Sequence, residues 1–161
     1  MKFRLSAYEA QYLLAVIRCY TEAVHRIADD FYSWEERLAW APEVPDMRAW
    51  ASGLNSNKVI LALGMDNEVL GFADVQLPQK KINRLYVHPN AQGIGVGKHL
   101  LEAVEREMLL LGPCSAFSLE SSLNARGFYE KQGYTCIGSR EVMFNGMKYR
   151  NWLMEKQILT R

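Results

Sequence analysis

Leu85-Tyr86-Val87-His88-Pro89-Asn90-Ala91-Gln92-Gly93-Ile94-Gly95-Val96-Gly97-Lys98 carries more structural information than any other stretch of this chain. Lys81 to Val87 reads as a strand closed by Pro89. From Val96 the period becomes helical, with Val96, Leu100, Leu101, Val104, Met108 and Leu111 on one face. Three alternating glycines join the two elements. The first amides of a helix have no intrahelical acceptor, and the helix dipole adds partial positive charge there. Gly93, Gly95 and Gly97 lack Cβ atoms, so a diphosphate can approach those amides closely. The spacing separates this turn from two other phosphate loops. A Walker loop needs Gly-Lys followed by Ser or Thr, and here His99 follows Lys98. A dinucleotide fingerprint needs G-x-G-x-x-G in an early βαβ unit, and here the spacing is G-x-G-x-G in mid-chain.

The flanking sequence supplies the remaining elements. Lys2 to Leu5 suits a short first strand. One helix is expected from Tyr8 to about Cys19 and a second through Ala23, Val24, Ile27 and Phe31. Ser33-Trp34-Glu35-Glu36 resembles a capping box opening a helix that ends near Ala41, before Pro42. Pro45-Asp46 opens another helix through Trp50. Val59 to Met65 and Glu68 to Gln76 form two strands around Asp66-Asn67. Gly112-Pro113 stops the long helix, Ala116 to Leu119 is a buried strand, and Asn124 to Gln132 is a helix ended by Gly133. Thr135 to Phe144 and Met147 to Glu155 are strands joined by Asn145-Gly146, a strong hairpin signal. The order predicts an α/β chain of the α+β type. Its central sheet is mixed, mostly antiparallel and twisted, with about six to seven strands flanked by helices.

Bulk properties narrow the function. At 161 residues, a single domain over 1–161 is expected. The formal charge of +1 shows no basic excess of the kind phosphate-backbone binding needs, which argues against nucleic acid. No run approaches the ~18 apolar residues of a membrane span. Glu9 and Arg18 interrupt any signal-peptide core. Cys19, Cys114 and Cys136 are odd in number and lack paired spacing, so neither a disulfide framework nor a metal site is expected. A cytoplasmic protein is the reading. The edge hairpin at Asn145-Gly146 leaves both monomer and homodimer open.

Val87-x-Pro89 followed by Gln92-x-x-Gly95-x-Gly97 resembles the acyl-CoA signature of the GNAT superfamily of N-acetyltransferases, Q/R-x-x-G-x-G/A. A second block, Ala125-Arg126-Gly127-Phe128-Tyr129-Glu130-Lys131-Gln132-Gly133-Tyr134, is similar to that family's helix and strand beyond the cofactor cleft. The resemblance extends from about Phe3 to Glu155. It implies acetyl-CoA as co-substrate, no metal, and direct attack by a small-molecule or peptide amine in a ternary complex. It places the pantetheine against Leu85, Tyr86 and Val87. The pyrophosphate falls on Gln92, Gly93, Ile94, Gly95, Val96, Gly97 and Lys98. Phe128 and Ser122 complete the cofactor set, Ser122 standing where many members carry Asn.

The resemblance also implies that Tyr129 donates a proton to the departing thiolate. No carboxylate precedes the glycine turn in Lys80-Lys81-Ile82-Asn83-Arg84, so Asp74 and Glu120 are the candidate bases. His25 is an imidazole that nothing in the sequence locates in a cleft, and His88 reads as structural or exposed. Neutralising a lysine-like amine at pH 7 costs about 4.6 kcal/mol, against about 1 for an α-amine of pKa near 7.8. Tyr20, Phe31, Tyr32, Trp34 and Trp40 crowd the first third of the chain, where core packing is the default and the family builds one acceptor wall. A competing reading is a non-catalytic acyl-CoA-binding module. It would share the glycine turn without needing Tyr129.

Overall fold

The computed structural model describes residues 2–159. Its centre is a seven-stranded sheet: β1 Arg4–Ala7, β2 Lys58–Leu63, β3 Val69–Gln76, β4 Lys81–Val87, β5 Ala116–Ser121, β6 Thr135–Phe144 and β7 Met147–Gln157. The strand order is β1-β2-β3-β4-β5-β7-β6. Every neighbouring pair is antiparallel except β4 and β5. Helices α1 Leu13–His25, α2 Trp34–Trp40, α3 Met47–Ser56, α4 Val96–Leu110 and α5 Arg126–Lys131 complete the chain.

Two apolar layers sandwich the sheet. On one face Val16, Cys19, Tyr20 and Val24 of α1 and Leu54 of α3 pack on Leu61, Leu63 and Phe72. On the other, Val96, Leu100, Leu101, Val104 and Met108 of α4 pack on Ala62, Leu70, Ala73 and Val75. The helical period read from the sequence therefore marks a real buried face as far as Met108, while Leu111, read onto the same face, lies past the end of α4 and is exposed. Gly71 lets α4 settle on the sheet: a Cβ there would lie 2.9 Å from Tyr86 O and 3.0 Å from side-chain atoms of Leu100 and Val96.

Two helix expectations change. A single helix, α1, runs to His25, and Ile27 to Phe31 leave the helical path. The buried Arg37 guanidinium takes the carbonyls of His25 (3.0 Å) and Ile27, which a continuing helix would need for itself. Only half of the capping box forms. Glu36 N donates to Ser33 Oγ (3.1 Å), while the Glu36 carbonyl accepts from Tyr149 Oη (2.6 Å). Asp46 caps α3 through Ala49 N (3.0 Å). Asn145 (φ 47°) and Gly146 (φ 80°) form the expected tight turn.

Candidate active site

The site begins where β4 leaves β5. Their parallel pairing covers only Lys81↔Ser118 and Ile82↔Leu119. Beyond Ile82, β4 stays with β3 and β5 stays with β7, so a gap opens between them. A bulge marks the parting: Ile82 pairs with Val75 and Arg84 with Asp74, leaving Asn83 unmatched. His88 N donates to Leu70 O at 2.8 Å. Antiparallel ladders alternate, so Tyr86 also turns its peptide groups toward β3, while Leu85 and Val87 turn theirs into the gap. Tyr86 is therefore a correction to the cofactor set. Its backbone is engaged by β3, and its ring lies on the opposite face, 4.7 Å from the Tyr20 ring centroid.

The gap leads to the start of α4. Gly95 is its left-handed N-cap (φ 92°), and Gly93 is also left-handed (φ 79°) with nothing within 4 Å of an added Cβ. The first ladder bond runs from His99 N to Gly95 O (3.0 Å), so Val96, Gly97 and Lys98 have amides with no acceptor in the helix. Gln92, Gly93, Ile94 and Lys98 are exposed around this mouth. Gly97 has a packing role: a Cβ would meet Phe128 Cζ at 3.2 Å. The backbone thus fits an extended chain hydrogen-bonded along Leu85 and Val87, ending in a diphosphate on bare helix amides. Ser122 borders the gap, and its hydroxyl donates to Asn124 Oδ1 at 2.8 Å.

The gap widens into a cleft of about 820 Å³ between the α1–α3 region and the β6–β7 hairpin. Tyr20, Tyr32, Trp40, Trp50, Tyr86 and Tyr149 wall it with aromatic rings. Hydrogen bonds tie its sides together: Asn145 Nδ2 to Ala39 O (2.8 Å), Tyr149 Oη to Glu36 O (2.6 Å) and Leu123 N to Tyr32 Oη (2.8 Å). Burial pushes the Tyr149 hydroxyl up to about 12. Tyr129 reaches the cleft from α5. It is otherwise buried, and among the described residues no group accepts from its hydroxyl. Burial raises its pKa above the ordinary 10 and keeps it protonated.

A family model described as Acetyltransferase (GNAT) domain matches residues 28–156. The chain belongs to the GNAT acetyltransferase family. It is 27% identical over 142 residues to the peptidyl-lysine N-acetyltransferase YjaB of Salmonella typhimurium, covering 88% of this chain and 87% of that one. A GCN5-related N-acetyltransferase from Rhodopseudomonas palustris matches with a TM-score of 0.91 at 27% identity, covering 98% and 97% of the two chains. The PaiA N-acetyltransferase of Thermoplasma acidophilum, solved in complex with coenzyme A, shares the fold at a TM-score of 0.79 and 20% identity, covering 98% and 100%.

The carboxylates of this acetyltransferase occupy different settings. Asp74 does not fit the role of base. It is fully buried, and its oxygens accept from Asn57 Nδ2 (2.8 Å), Asn83 Nδ2 (3.0 Å), and Arg84 Nε and Nη2 (2.9 Å each). A carboxylate saturated by those donors anchors the β4 bulge. Glu120 does line the cleft, with Arg140 and Lys81 (3.4 Å) against its oxygens. His25 lies outside the lining, with Nε2 2.7 Å from Ala41 O. His88 is structural: Nδ1 accepts from Asn90 N (3.1 Å), which leaves Nε2 to donate to Glu22 Oε2 (2.6 Å).

Among the aromatic residues singled out in the sequence, Tyr20, Tyr32 and Trp40 face the cleft. Phe31 and Trp34 are exposed elsewhere. Sequence reasoning missed Trp50, Arg84 and Tyr149. Arg84 carried one faint signal, a charge directly ahead of the apolar Leu85-Tyr86-Val87. All three cysteines are free thiols. Among the described residues no His, Cys, Asp and Glu cluster is arranged to hold a metal, and no helix is long and apolar enough to cross a membrane.

Proposed function

We propose that this protein moves the acetyl group of acetyl-CoA to a primary amine by direct attack in a ternary complex, with 1–161 acting as one domain. The parting of β4 from β5 beside the glycine-started α4 is the observation that carries the reading. Leu85 and Val87 hold the pantetheine arm through their backbone, and one of their amides polarises the thioester carbonyl. Gly93, Gly95, Val96, Gly97 and Lys98 receive the pyrophosphate, with Gln92 and Ile94 at its edge. Phe128 holds Gly97 in place, and Ser122 borders the arm.

The amine nitrogen attacks the thioester carbon as a neutral base. The C–N bond forms, the C–S bond breaks, and the sulfur leaves with the bonding pair. The nitrogen sheds one proton, and Tyr129 supplies a hydrogen bond and then a proton to the sulfur. Its raised pKa suits this site, since a buried thiolate also holds its proton more tightly than an exposed one. Glu120, a carboxylate of the cleft wall beside β4 and Tyr129, takes up the proton of the amine, directly or through a water. The acceptor enters on the aromatic side, opposite α4.

Titration calorimetry with acetyl-CoA tests the first half of this reading. Saturable binding is expected, and it should weaken on the order of 100-fold in Gly95→Val while the far-ultraviolet circular dichroism stays the same. Mass spectrometry of an amine panel tests the second half: a gain of one acetyl group with release of free CoA supports transfer. Binding with no transfer to any amine would leave only the acyl-CoA-binding module.

A further inference from the structure

Arg84 has a second use that the cofactor site does not explain. It immediately precedes Leu85, whose peptide groups open on the gap, and its side chain turns to the aromatic face. Asp74 takes one edge of the guanidinium through Nε and Nη2, each at 2.9 Å. The guanidinium carbon lies 4.6 Å from the ring centroid of Trp50. Asp74 is itself held by Asn57 and Asn83, so the group is fixed on two sides. What remains is the end-on fork of Nη1 and Nη2. Among the described residues nothing accepts from Nη1, and Arg84 lines the cleft with its side chain 19% exposed. The other arginine of the lining, Arg140, is already paired with Glu120.

A guanidinium held by a carboxylate behind it and a ring beneath it presents two parallel N–H groups in a set geometry. That geometry matches a planar carboxylate. The Arg84–Asp74 pair is neutral overall, so it selects through hydrogen-bond geometry more than through net charge, which suits a single negative charge. Beside it lie the rings of Tyr20, Trp40, Trp50 and Tyr86. We infer that the acceptor is a free amino acid with an apolar or aromatic side chain, its carboxylate on the Arg84 fork and its side chain among these rings. The inference rests on the acetyl-transfer reading above and names its substrate class. Arg84 and Leu85 line the same cleft at consecutive positions of β4, an arrangement that suits an acceptor whose carboxylate and reacting nitrogen are separated by one carbon, as in an α-amino acid. A lysine within a protein offers no carboxylate at that distance, and a peptide N-terminus carries an amide there. The transfer follows the balance given above: the α-nitrogen gains the acetyl group and gives up one proton to Glu120, the C–S bond breaks, the sulfur takes its proton from Tyr129, and exchange with solvent returns both side chains to their starting states.

The test compares L-phenylalanine with phenethylamine, the same molecule without its carboxylate, using acetyl-CoA and product detection by mass spectrometry. L-Phenylalanine should be favoured in kcat/KM on the order of 100-fold, because the carboxylate-free analogue leaves a desolvated arginine unpaired. In Arg84→Lys the ammonium still pairs with Asp74 while the fork is gone. The gap between the two acceptors should close to about threefold, mainly through a higher KM for the amino acid. Binding of N-acetyl-L-phenylalanine, followed by calorimetry without turnover, should weaken in parallel. Acetyl-CoA affinity and melting temperature serve as controls for an intact fold. Equal turnover of the two acceptors in the native protein overturns the inference, as does a preference that survives in Arg84→Lys. Preferential acetylation of peptide lysines or peptide N-termini also overturns it while leaving acetyl transfer standing. A protein that binds no acetyl-CoA would instead strike the transfer reading itself, and this inference with it.

Discussion

The two ends of the cleft are built in opposite ways. At the mouth of α4 the groups on offer are main-chain amides, supplied by one continuous segment from Leu85 to Lys98. At the other end they are side chains drawn from α1, α2, α3, β4, β5 and the β6–β7 hairpin. The first end needs glycines at left-handed positions, with Gly93 at φ 79° and Gly95 at φ 92°, and little else. The second needs distant elements fixed against one another, which cross-cleft bonds such as Asn145 to Ala39 and Tyr149 to Glu36 achieve. A backbone site tolerates change in most of its side chains. A side-chain chamber can be retuned by single substitutions without disturbing the cofactor, which is how one fold serves many amines.

Experiments can separate the two ends. The largest effect is expected at their junction, Asp74. Asp74→Ala leaves Arg84 without its buried partner and frees the β4 bulge, at a cost of about 3–5 kcal/mol in unfolding free energy; urea titration measures it. Next, Gly95→Val should weaken acetyl-CoA binding on the order of 100-fold, since a β-branched residue cannot hold φ 92° without strain and shields the amides. Its acceptor chamber should keep its near-ultraviolet dichroism, and loss of that signal would show that the two ends are not separable. Tyr129→Phe touches the chemistry alone. Its kcat should fall on the order of 100-fold while acetyl-CoA affinity changes by less than about twofold.

Asn145→Ala removes one strut of the chamber and should cost about 1 kcal/mol, with a raised KM for the acceptor and the same Kd for acetyl-CoA. The smallest expected effect is on the alkaline side of the pH profile. Burial raises Tyr129, so its hydroxyl stays protonated as pH passes 10. Turnover should rise with pH as the amine loses its proton and show no decline below pH 10. A decline centred lower would remove Tyr129 from the acid role.

Much of this protein is legible in its amino-acid sequence. The strand–glycine–helix unit, the Asn145-Gly146 hairpin, the period of α4 and the mixed sheet all follow from local rules. A glycine turn means the same thing wherever it lies, because its constraint is on its own backbone. The sequence reads two helices where α1 is one, and α1 ends at His25 because Arg37 takes that carbonyl, a contact across a loop that helical periodicity does not encode. Tyr86 was misassigned for a related reason. Whether a strand residue turns its peptide toward one neighbour or the other depends on ladder register, here set by the bond from His88 to Leu70.

The glycine turn that starts α4 was thus determined by sequence alone, since bare amides and positive φ are properties of consecutive residues. Tertiary structure alone decided the fate of the charges. Asp74 became a buried anchor, Arg84 kept a free edge, and Glu120 came to the cleft wall. Each outcome depends on which distant partner desolvates or neutralises the group, and a linear pattern does not encode that distance.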